Sequence, residues 1–461
     1  MSQLAFSNTQ LKTELVSNLD TLGYKEMTAI QAQSLPAILQ GKDVIAQGKT
    51  GSGKTAAFGL GLLNKLDVKR FRIQTLILCP TRELADQVAV EIRKLARAIH
   101  NIKVLTLTGG MPFAKQQDSL YHGAHIIVGT PGRIDDHLNR GTLNLNDVDT
   151  LVLDEADRML EMGFQDTLTA IVERTPIDRQ TLLFSATYPD AIKTIANNMM
   201  RDAVMVQVED THDDTSIAQH FYQTADSEAK LHALRLLLLQ HQPESSVVFC
   251  NTKRDTLVVC DELNRYGFHA LALNGDLEQR ERDQTLVQFA NKSASILVAT
   301  DVAARGLDVE NLDAVFNYDF AHDTDTHTHR VGRTGRAGNK GLACTFFTEK
   351  DAYKIEMLAE LLQRDINAEA LPRESVLDNR PNPAPMVTLQ IDSGKKQKIR
   401  KGDILGALTG ENGIEGKQVG KIQVNDTWSF VAVERAVAKR AINKLSQGKM
   451  KGRNRRVRQL S

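Results

Sequence analysis

The sequence predicts an α/β protein: two parallel-sheet domains in tandem, followed by a small α+β domain of ferredoxin-like order. Three observations carry this. Short apolar runs ending in polar or small residues alternate with helical stretches over most of the chain. The alternation stops once, at an acidic stretch, and restarts. After a second break, marked by prolines, the order becomes strand, helix, two strands, helix, strand, and the charge turns basic.

The first domain, residues 1–208, has strands at 43–47, 75–80, 125–130, 150–155 and 181–187, with ELADQVAVEIRKLARAI at 83–99 as its clearest helix. Continuous apolar strands fit burial on both faces, as in parallel sheets. Residues 209–217, containing EDTHDDTS, read as a flexible linker. The second domain, 218–370, repeats the pattern at 246–252, 268–275, 294–301 and 313–319. Residues 371–385 hold four prolines, which fix φ and remove backbone donors, so this reads as a stiff linker poor in helix or strand. Residues 386–461 give the βαββαβ order: MVTLQI, GDILGALTG, VGKIQV, WSFVAV, ERAVAKRAINKL and a basic last strand. Many RNA-binding modules share this order, and so do unrelated proteins.

The 461 residues suit about three domains. The 57 basic and 57 acidic residues cancel, yet residues 381–461 hold 17 of the former and 6 of the latter, leaving 40 against 51 elsewhere. A basic module on an acidic body points to an anionic partner, nucleic acid first and a membrane surface second. No run of about 18 apolar residues occurs, so no membrane span is expected. The N-terminus lacks a basic start followed by an apolar core, so a secretory leader is not expected and a cytoplasmic location is. Cys79, Cys250, Cys260 and Cys344 form no C-x-x-C pair, and three lie in or beside apolar runs. They read as buried thiols in a reducing compartment rather than zinc ligands. The 12 histidines show no metal-ligand spacing.

The strongest local signal is Gly48-Lys49-Thr50-Gly51-Ser52-Gly53-Lys54-Thr55, between a strand and a helix. Glycines let backbone N–H groups curl around phosphate oxygens, and the helix N-terminus adds favourable potential. Lys54 would reach the β- and γ-phosphates of a nucleotide, and the Thr55 hydroxyl would bind Mg²⁺. LVLDEAD puts Asp154 and Glu155 at a strand's carboxyl end, where ligands of such sheets gather. Asp154 suits a carboxylate holding Mg²⁺ through water; Glu155 suits the base acting on the attacking water. In His329-Arg330-Val331-Gly332-Arg333-Thr334-Gly335-Arg336, an arginine recurs every third residue. On a helix or helical turn the three would face roughly one way, as phosphate-stabilising groups or as an RNA-backbone patch. His329 reads as a hydrogen-bonding residue.

In order over residues 6–338, this motif series resembles that of DEAD-box RNA helicases. The resemblance implies two RecA-like lobes using ATP and Mg²⁺, with RNA as partner and local duplex melting as the action. It extends to Gly23-Tyr24-Lys25-Glu26-Met27-Thr28-Ala29-Ile30-Gln31, whose Gln31 would read adenine, with Phe6 stacking on the base; Ala29 departs from the family's usual proline. The remaining implied nucleotide contacts are Thr50, Gly51, Ser52, Gly53, Lys54, Thr55 and, on the ribose, Asp308, with Arg333 and Arg336 on the γ-phosphate. The catalytic set is then Lys54, Asp154, Glu155, Arg333 and Arg336, and the metal set Thr55 and Asp154. RNA contacts are implied at Pro80, Thr81, Arg82, Gly110, Thr130 and Arg133, then at Asn251, Thr252, Gly275 and Thr300, with Gln279-x-x-Arg282 in the second-lobe series. Ser185 and Thr187 match the segment coupling hydrolysis to strand separation.

The last domain resembles the RRM-like targeting domain of one bacterial branch of that family. That likeness implies a hairpin of 23S ribosomal RNA near the peptidyl-transferase centre, and a role in assembling the large subunit from its precursor. Lys395, Lys396, Lys398, Arg400, Arg453 and Arg455 are the expected RNA contacts. Trp428 and Phe430 alternate along a strand and share a face; they either stack bases or pack under a helix. Residues 447–461 hold six basic residues and no acidic one, and either clamp phosphate or form a disordered tail. A monomer is expected. The rival function is an ATP-dependent RNA clamp or assembly scaffold with little turnover, against which the intact Glu155, Arg333 and Arg336 argue.

Overall fold

The computed structural model describes residues 5–48, 51–208, 217–304, 312–335 and 340–460. Most of the expected interdomain linker, 209–216, lies outside them. The chain divides into two compact units, before and after that stretch.

The first unit is built on seven strands: β1 (Val44–Gln47), β2 (Thr75–Leu78), β3 (Val104–Leu107), β4 (Ile126–Gly129), β5 (Thr150–Asp154), β6 (Gln180–Ser185) and β7 (Val204–Gln207). Their order is β3-β4-β2-β5-β6-β1-β7, and every pairing is parallel. Side chains alternate between two apolar layers. Val44 and Ala46 join Phe58 and Phe184 on one face, while Ile45, Leu76 and Leu78 join Ile134 and Ile192 on the other. Burial on both faces is why these strands read as unbroken apolar runs. The carboxyl ends of β1 and β5 therefore leave the sheet beside each other's loops, separated by β6.

The second unit repeats the plan with β8 (Ile217–Gln223), β9 (Ser246–Phe249), β10 (Ala270–Leu273), β11 (Ile296–Ala299), β12 (Ala314–Asn317) and β13 (Gly341–Phe347). They are ordered β10-β11-β9-β12-β13-β8 and all parallel. The proline-bearing stretch is not wholly irregular: Glu374–Asp378 forms a 3₁₀ turn, and Leu371, Val376 and Leu377 pack against this lobe's core.

The same unit continues into an antiparallel sheet of β14 (Met386–Ile391), β15 (Val419–Val424), β16 (Ser429–Glu434) and β19 (Val457–Gln459). The order β15-β16-β14-β19 is that of a ferredoxin-like sandwich. Helices Lys401–Thr409 and Ala438–Gln447 cover one face through Ile404, Leu408, Ala441 and Leu445, against Val387, Leu389, Val431 and Val433. Before the last strand a small hairpin intervenes, β17 (Lys449–Met450) with β18 (Arg453–Asn454). The basic terminal segment is thus part of the sheet, with Leu460 buried, not a disordered tail.

All four cysteines are buried. Burial raises each thiol above its ordinary range, Cys260 to about 12.

Candidate nucleotide and RNA sites

The phosphate loop begins where β1 ends. The Gly48 N–H donates to the Ser185 carbonyl at 3.0 Å, tying the loop's start to the end of β6. Lys54 opens the helix Lys54–Lys65, is buried, and donates from Nζ to the Gly48 carbonyl at 2.6 Å. Its ammonium is thereby held across the loop it belongs to. Gly53 has φ of +95°, and a Cβ there would stand 2.4 Å from Gln31 Nε2. The backbone needs glycine twice over, for its dihedral and for the space. Gly51 also has positive φ. Thr50 lies outside the described residues.

Gln31 is buried and bonded at both ends. Its Oε1 accepts from the Thr28 N–H at 2.9 Å, and its Nε2 donates to the Gly53 carbonyl at 3.1 Å. The base-reading candidate and the phosphate loop are therefore mechanically joined. Phe6 is only 3% exposed and meets Tyr24 edge-on, centroids 6.3 Å apart.

Asp154 ends β5 and is buried. Desolvation pushes its carboxyl up to about 7, against the pull of the nearby Lys54 ammonium, with Glu155 adding to the rise. Glu155 sits at the turn into helix Ala156–Glu161 with φ +54° and ψ +52°. A left-handed conformation is uncommon for a residue with a side chain and marks a site under constraint. Its Oε2 accepts from Arg158 Nη1 at 3.0 Å, both side chains buried.

Two residues were missed at the sequence level. Arg158 is one. The other is Asp157, whose Oδ2 accepts from the Ala186 N–H at 3.1 Å, the Thr187 N–H at 2.9 Å and the Thr187 hydroxyl at 3.1 Å. The Asp157 N–H donates to Ser185 Oγ at 3.3 Å. Asp157 thus staples the two implied coupling residues to the acidic turn. The D-x-x-D spacing was visible; its partner, 28 to 30 residues on, was not.

The implied first-lobe RNA residues cluster on loops after β2, β3 and β4. Thr81 caps helix Arg82–Leu95, accepting from the Leu84 N–H. The Arg82 guanidinium lies over Gly109, where a Cβ would come within 2.8 Å of it. Gly110 takes φ +76°. Arg133 Nη1 donates to the Met111 carbonyl at 3.0 Å and to Gln116 Oε1 at 2.7 Å. Thr130 precedes the helix Pro131–Asn139, and Pro80 is buried.

In the second lobe, the described residues include Arg330 and Arg333 of the arginine series. The helix Thr324–Val331 ends at Gly332, so a helical three-residue spacing does not extend beyond it. Arg330 is pinned in the interior, its guanidinium 2.6 and 2.7 Å from the two Asp301 oxygens, 2.8 Å from Asn251 Oδ1 and 2.7 Å from the Asp319 carbonyl. Asn251 in turn donates to the Phe320 carbonyl. Thr252 caps helix Lys253–Arg265, Gly275 lies beside Lys253, and Thr300 is buried at the end of β11. Arg333 is buried in this lobe. Asp308 and Arg336 lie outside the described residues.

In the small domain, Lys395 and Arg400 line a groove of about 470 Å³. Lys401 and Lys421 join them, over a floor of Ile399, Ile422 and Val424. The sequence reading missed Lys401 and Lys421. Lys396 and Lys398 are exposed on the same loop, and Arg453 is exposed on the hairpin. Arg455 is half-buried, with an Nε that has no partner.

Comparison with known proteins agrees with this geometry. The chain matches the models of the DEAD/DEAH box helicase over residues 28–195, the helicase conserved C-terminal domain over 229–338, and the DbpA RNA binding domain over 388–459. It belongs to the DEAD-box ATP-dependent RNA helicases, enzymes that hydrolyse ATP. Within that family it is 54% identical over 445 residues to the ATP-dependent RNA helicase DbpA of Escherichia coli K12, covering 96% of this chain and 97% of that one. It is 43% identical to the helicase CshA of Geobacillus kaustophilus, covering 78% and 77%. Among solved structures, S. cerevisiae Dbp5 bound to RNA and ADP BeF3 aligns with a TM-score of 0.72 at 30% identity, over 80% of this chain and 96% of that one.

Proposed function

We propose that this helicase is directed by its C-terminal domain to a hairpin of 23S ribosomal RNA, and that it parts short neighbouring duplexes during assembly of the large subunit. The observation that carries the targeting reading is the groove of four cations over three aliphatic side chains. Its chemistry suits a phosphate backbone at the rim and an unstacked base on the floor, as structured RNA offers at loops. The similarity to DbpA, named for RNA helicase activity, supports the same direction.

For hydrolysis, Lys54 with the loop from Gly51 to Thr55 would cradle the phosphates, and Glu155 would orient the attacking water. Arg333 and Arg336 would meet the γ-phosphate, and Asp308 the ribose. Thr55 and Asp154 fit a Mg²⁺ ion: a hydroxyl at the helix start and a desolvated carboxyl whose charge gains from a cation nearby. Bound there, Mg²⁺ would neutralise phosphate charge. Asp157 would transmit the state of the acidic turn to Ser185 and Thr187. Division into residues 1–208, 218–370 and 386–461, action as a monomer and a cytoplasmic location belong to the same reading.

The test is ATPase activity of the full chain with 23S RNA fragments and generic RNA. A preferred fragment should stimulate at much lower concentration than generic RNA, and Lys401→Glu with Lys421→Glu should abolish that preference while sparing the generic response. Absence of any preferred fragment refutes the targeting. No stimulation by any RNA would favour the clamp or scaffold.

A further inference from the structure

His137 is fully buried and stands one turn after Arg133 on the helix Pro131–Asn139, so the two side chains share a face. Its ring stacks on Phe113, with centroids 4.2 Å apart and planes inclined by 19°. Nothing in the nucleotide site or the RNA contacts named so far uses it.

The hydrogen bonds around this ring can be assigned atom by atom. Gln116 is buried on the neighbouring helix Phe113–Tyr121, and its Nε2 donates to the Thr108 carbonyl at 2.8 Å. Its Oε1 accepts from Arg133 Nη1 at 2.7 Å. A carbonyl can only accept and a guanidinium can only donate, so the amide's orientation is fixed at both ends. His137 Nε2 lies 3.1 Å from that same Oε1. The oxygen can only accept, so Nε2 carries a hydrogen. On the other side of the ring, Nδ1 is 2.8 Å from the Thr142 hydroxyl, which can turn its hydrogen towards it. Burial, then the Arg133 guanidinium and that of Arg140, hold the imidazole below its ordinary range, with Asp136 opposing them. The ring is therefore neutral, with its one hydrogen on Nε2.

The consequence falls on Arg133. Its Nη1 has two hydrogens, and both are committed, one to Gln116 and one to the Met111 carbonyl at 3.0 Å. Nε stands 3.9 Å from Asp136, which is itself drawn to Arg140 at 2.6 Å. Among the described residues Nη2 gives no hydrogen bond, and it is the edge left for a phosphate oxygen. A long side chain already held in one rotamer does not lose that freedom when RNA arrives. We propose that His137 is a positioning residue for RNA binding: through Gln116 it fixes the Arg133 guanidinium, so that the loop after β3 and the helix after β4 offer the RNA backbone one preset contact. The proposal deepens the reading of Arg133 as an RNA contact and rests on it.

The test uses the full chain and a single-stranded oligouridine RNA, and reads the RNA concentration that half-stimulates ATP hydrolysis. Arg133→Gln should raise that concentration about tenfold, the loss of one charged contact. His137→Phe keeps the stack on Phe113 and loses the hydrogen bonds; it should raise it about fivefold, with the rate at saturating RNA unchanged. In the Arg133→Gln background the same substitution should add less than about twofold, because the group it positions is gone. His137→Gln restores a donor towards Gln116 and should return the value to within about twofold of the unaltered chain. Nitrogen NMR of the ring should show the neutral form with its hydrogen on Nε2. A fivefold effect of His137→Phe that persists without Arg133 overturns the proposal, as does failure of His137→Gln to rescue or a hydrogen found on Nδ1 alone. If Arg133→Gln itself leaves the RNA dependence unchanged, the reading of Arg133 fails and takes the proposal with it; independent, multiplying losses defeat the proposal alone.

Discussion

Arg330→Ala is the perturbation on which the second lobe's anatomy can be judged most sharply. The guanidinium is fully buried and gives hydrogen bonds to both oxygens of Asp301, to Asn251 and to the Asp319 carbonyl, with its flat face 5.1 Å from the Phe249 ring centre. Removing it leaves a carboxylate that is only 17% exposed without its counter-ion, plus two acceptors without donors. Breaking a buried pair from one side costs about 3–5 kcal/mol. With an m-value of about 2 kcal/mol per molar urea, that lowers the midpoint of this unit by about 2 M. Arg330→Lys keeps the charge but not the planar fork, and should cost about 1.5–3 kcal/mol. Urea titration followed by circular dichroism would measure the lobe, and the chain's single tryptophan, Trp428 in the small domain, packed beside Val287 of this lobe, would report the same unit independently. The reasoning is refuted if Arg330→Ala melts with the native midpoint while ATP hydrolysis is lost. That outcome would return Arg330 to the phosphate-facing role its spacing first suggested.

Lys54→Ala and Glu155→Gln should each lower RNA-stimulated ATP hydrolysis by at least a hundredfold without changing the melting temperature by more than a few degrees; near-normal turnover in either would contradict the assigned roles. Gly53→Ala forces a methyl into Gln31 and strains a positive φ, so nucleotide affinity measured by titration should drop more than tenfold. His327 is buried between Phe221 and Phe320, and desolvation holds its imidazole down to about 4. The unfolded chain takes up this proton as pH falls through 6.5 while the folded chain does not. The associated stability is therefore whole above 6.5 and drains by about 3 kcal/mol as pH falls to about 4. His327→Phe should remove that component, and parallel acid limbs in the two proteins would refute it. Asp157→Ala strands the Ala186 and Thr187 N–H groups and should lower unwinding more than hydrolysis; equal losses in both would show no coupling role.

What could be read from residues alone was what repeats or stays local. β1, β2, β4, β5 and β6 announced themselves because double-sided burial demands unbroken apolar runs, and the phosphate loop because Gly51, Gly53 and Lys54 stand between a strand and a helix. Four strands of the two lobes were not named, β3, β7, β8 and β13, nor was the small hairpin of β17 and β18. β7 and β8 carry exposed or half-exposed positions along their length, so their apolar signal is diluted. The interior place of Arg330 was not legible, because three-residue spacing says nothing of Asp301, Asn251 and the Asp319 carbonyl that hold it. Alternation placed Trp428 and Phe430 on one face correctly, but a strand's own residues do not say what lies across from it. The partner of Asp157 and the packing of Val287 on Phe430 are both long-range facts, set by how separate elements meet.

The placement of the thiols has a practical corollary. Cys79 is the only cysteine in the first lobe, while Cys250, Cys260 and Cys344 all sit in the second. The small C-terminal domain has none. A membrane-permeant alkylating reagent can reach none of them until the surrounding structure breathes. Mass spectrometry of labelled peptides over time would then act as a pair of independent clocks, one for each RecA-like body, running in the same tube during turnover.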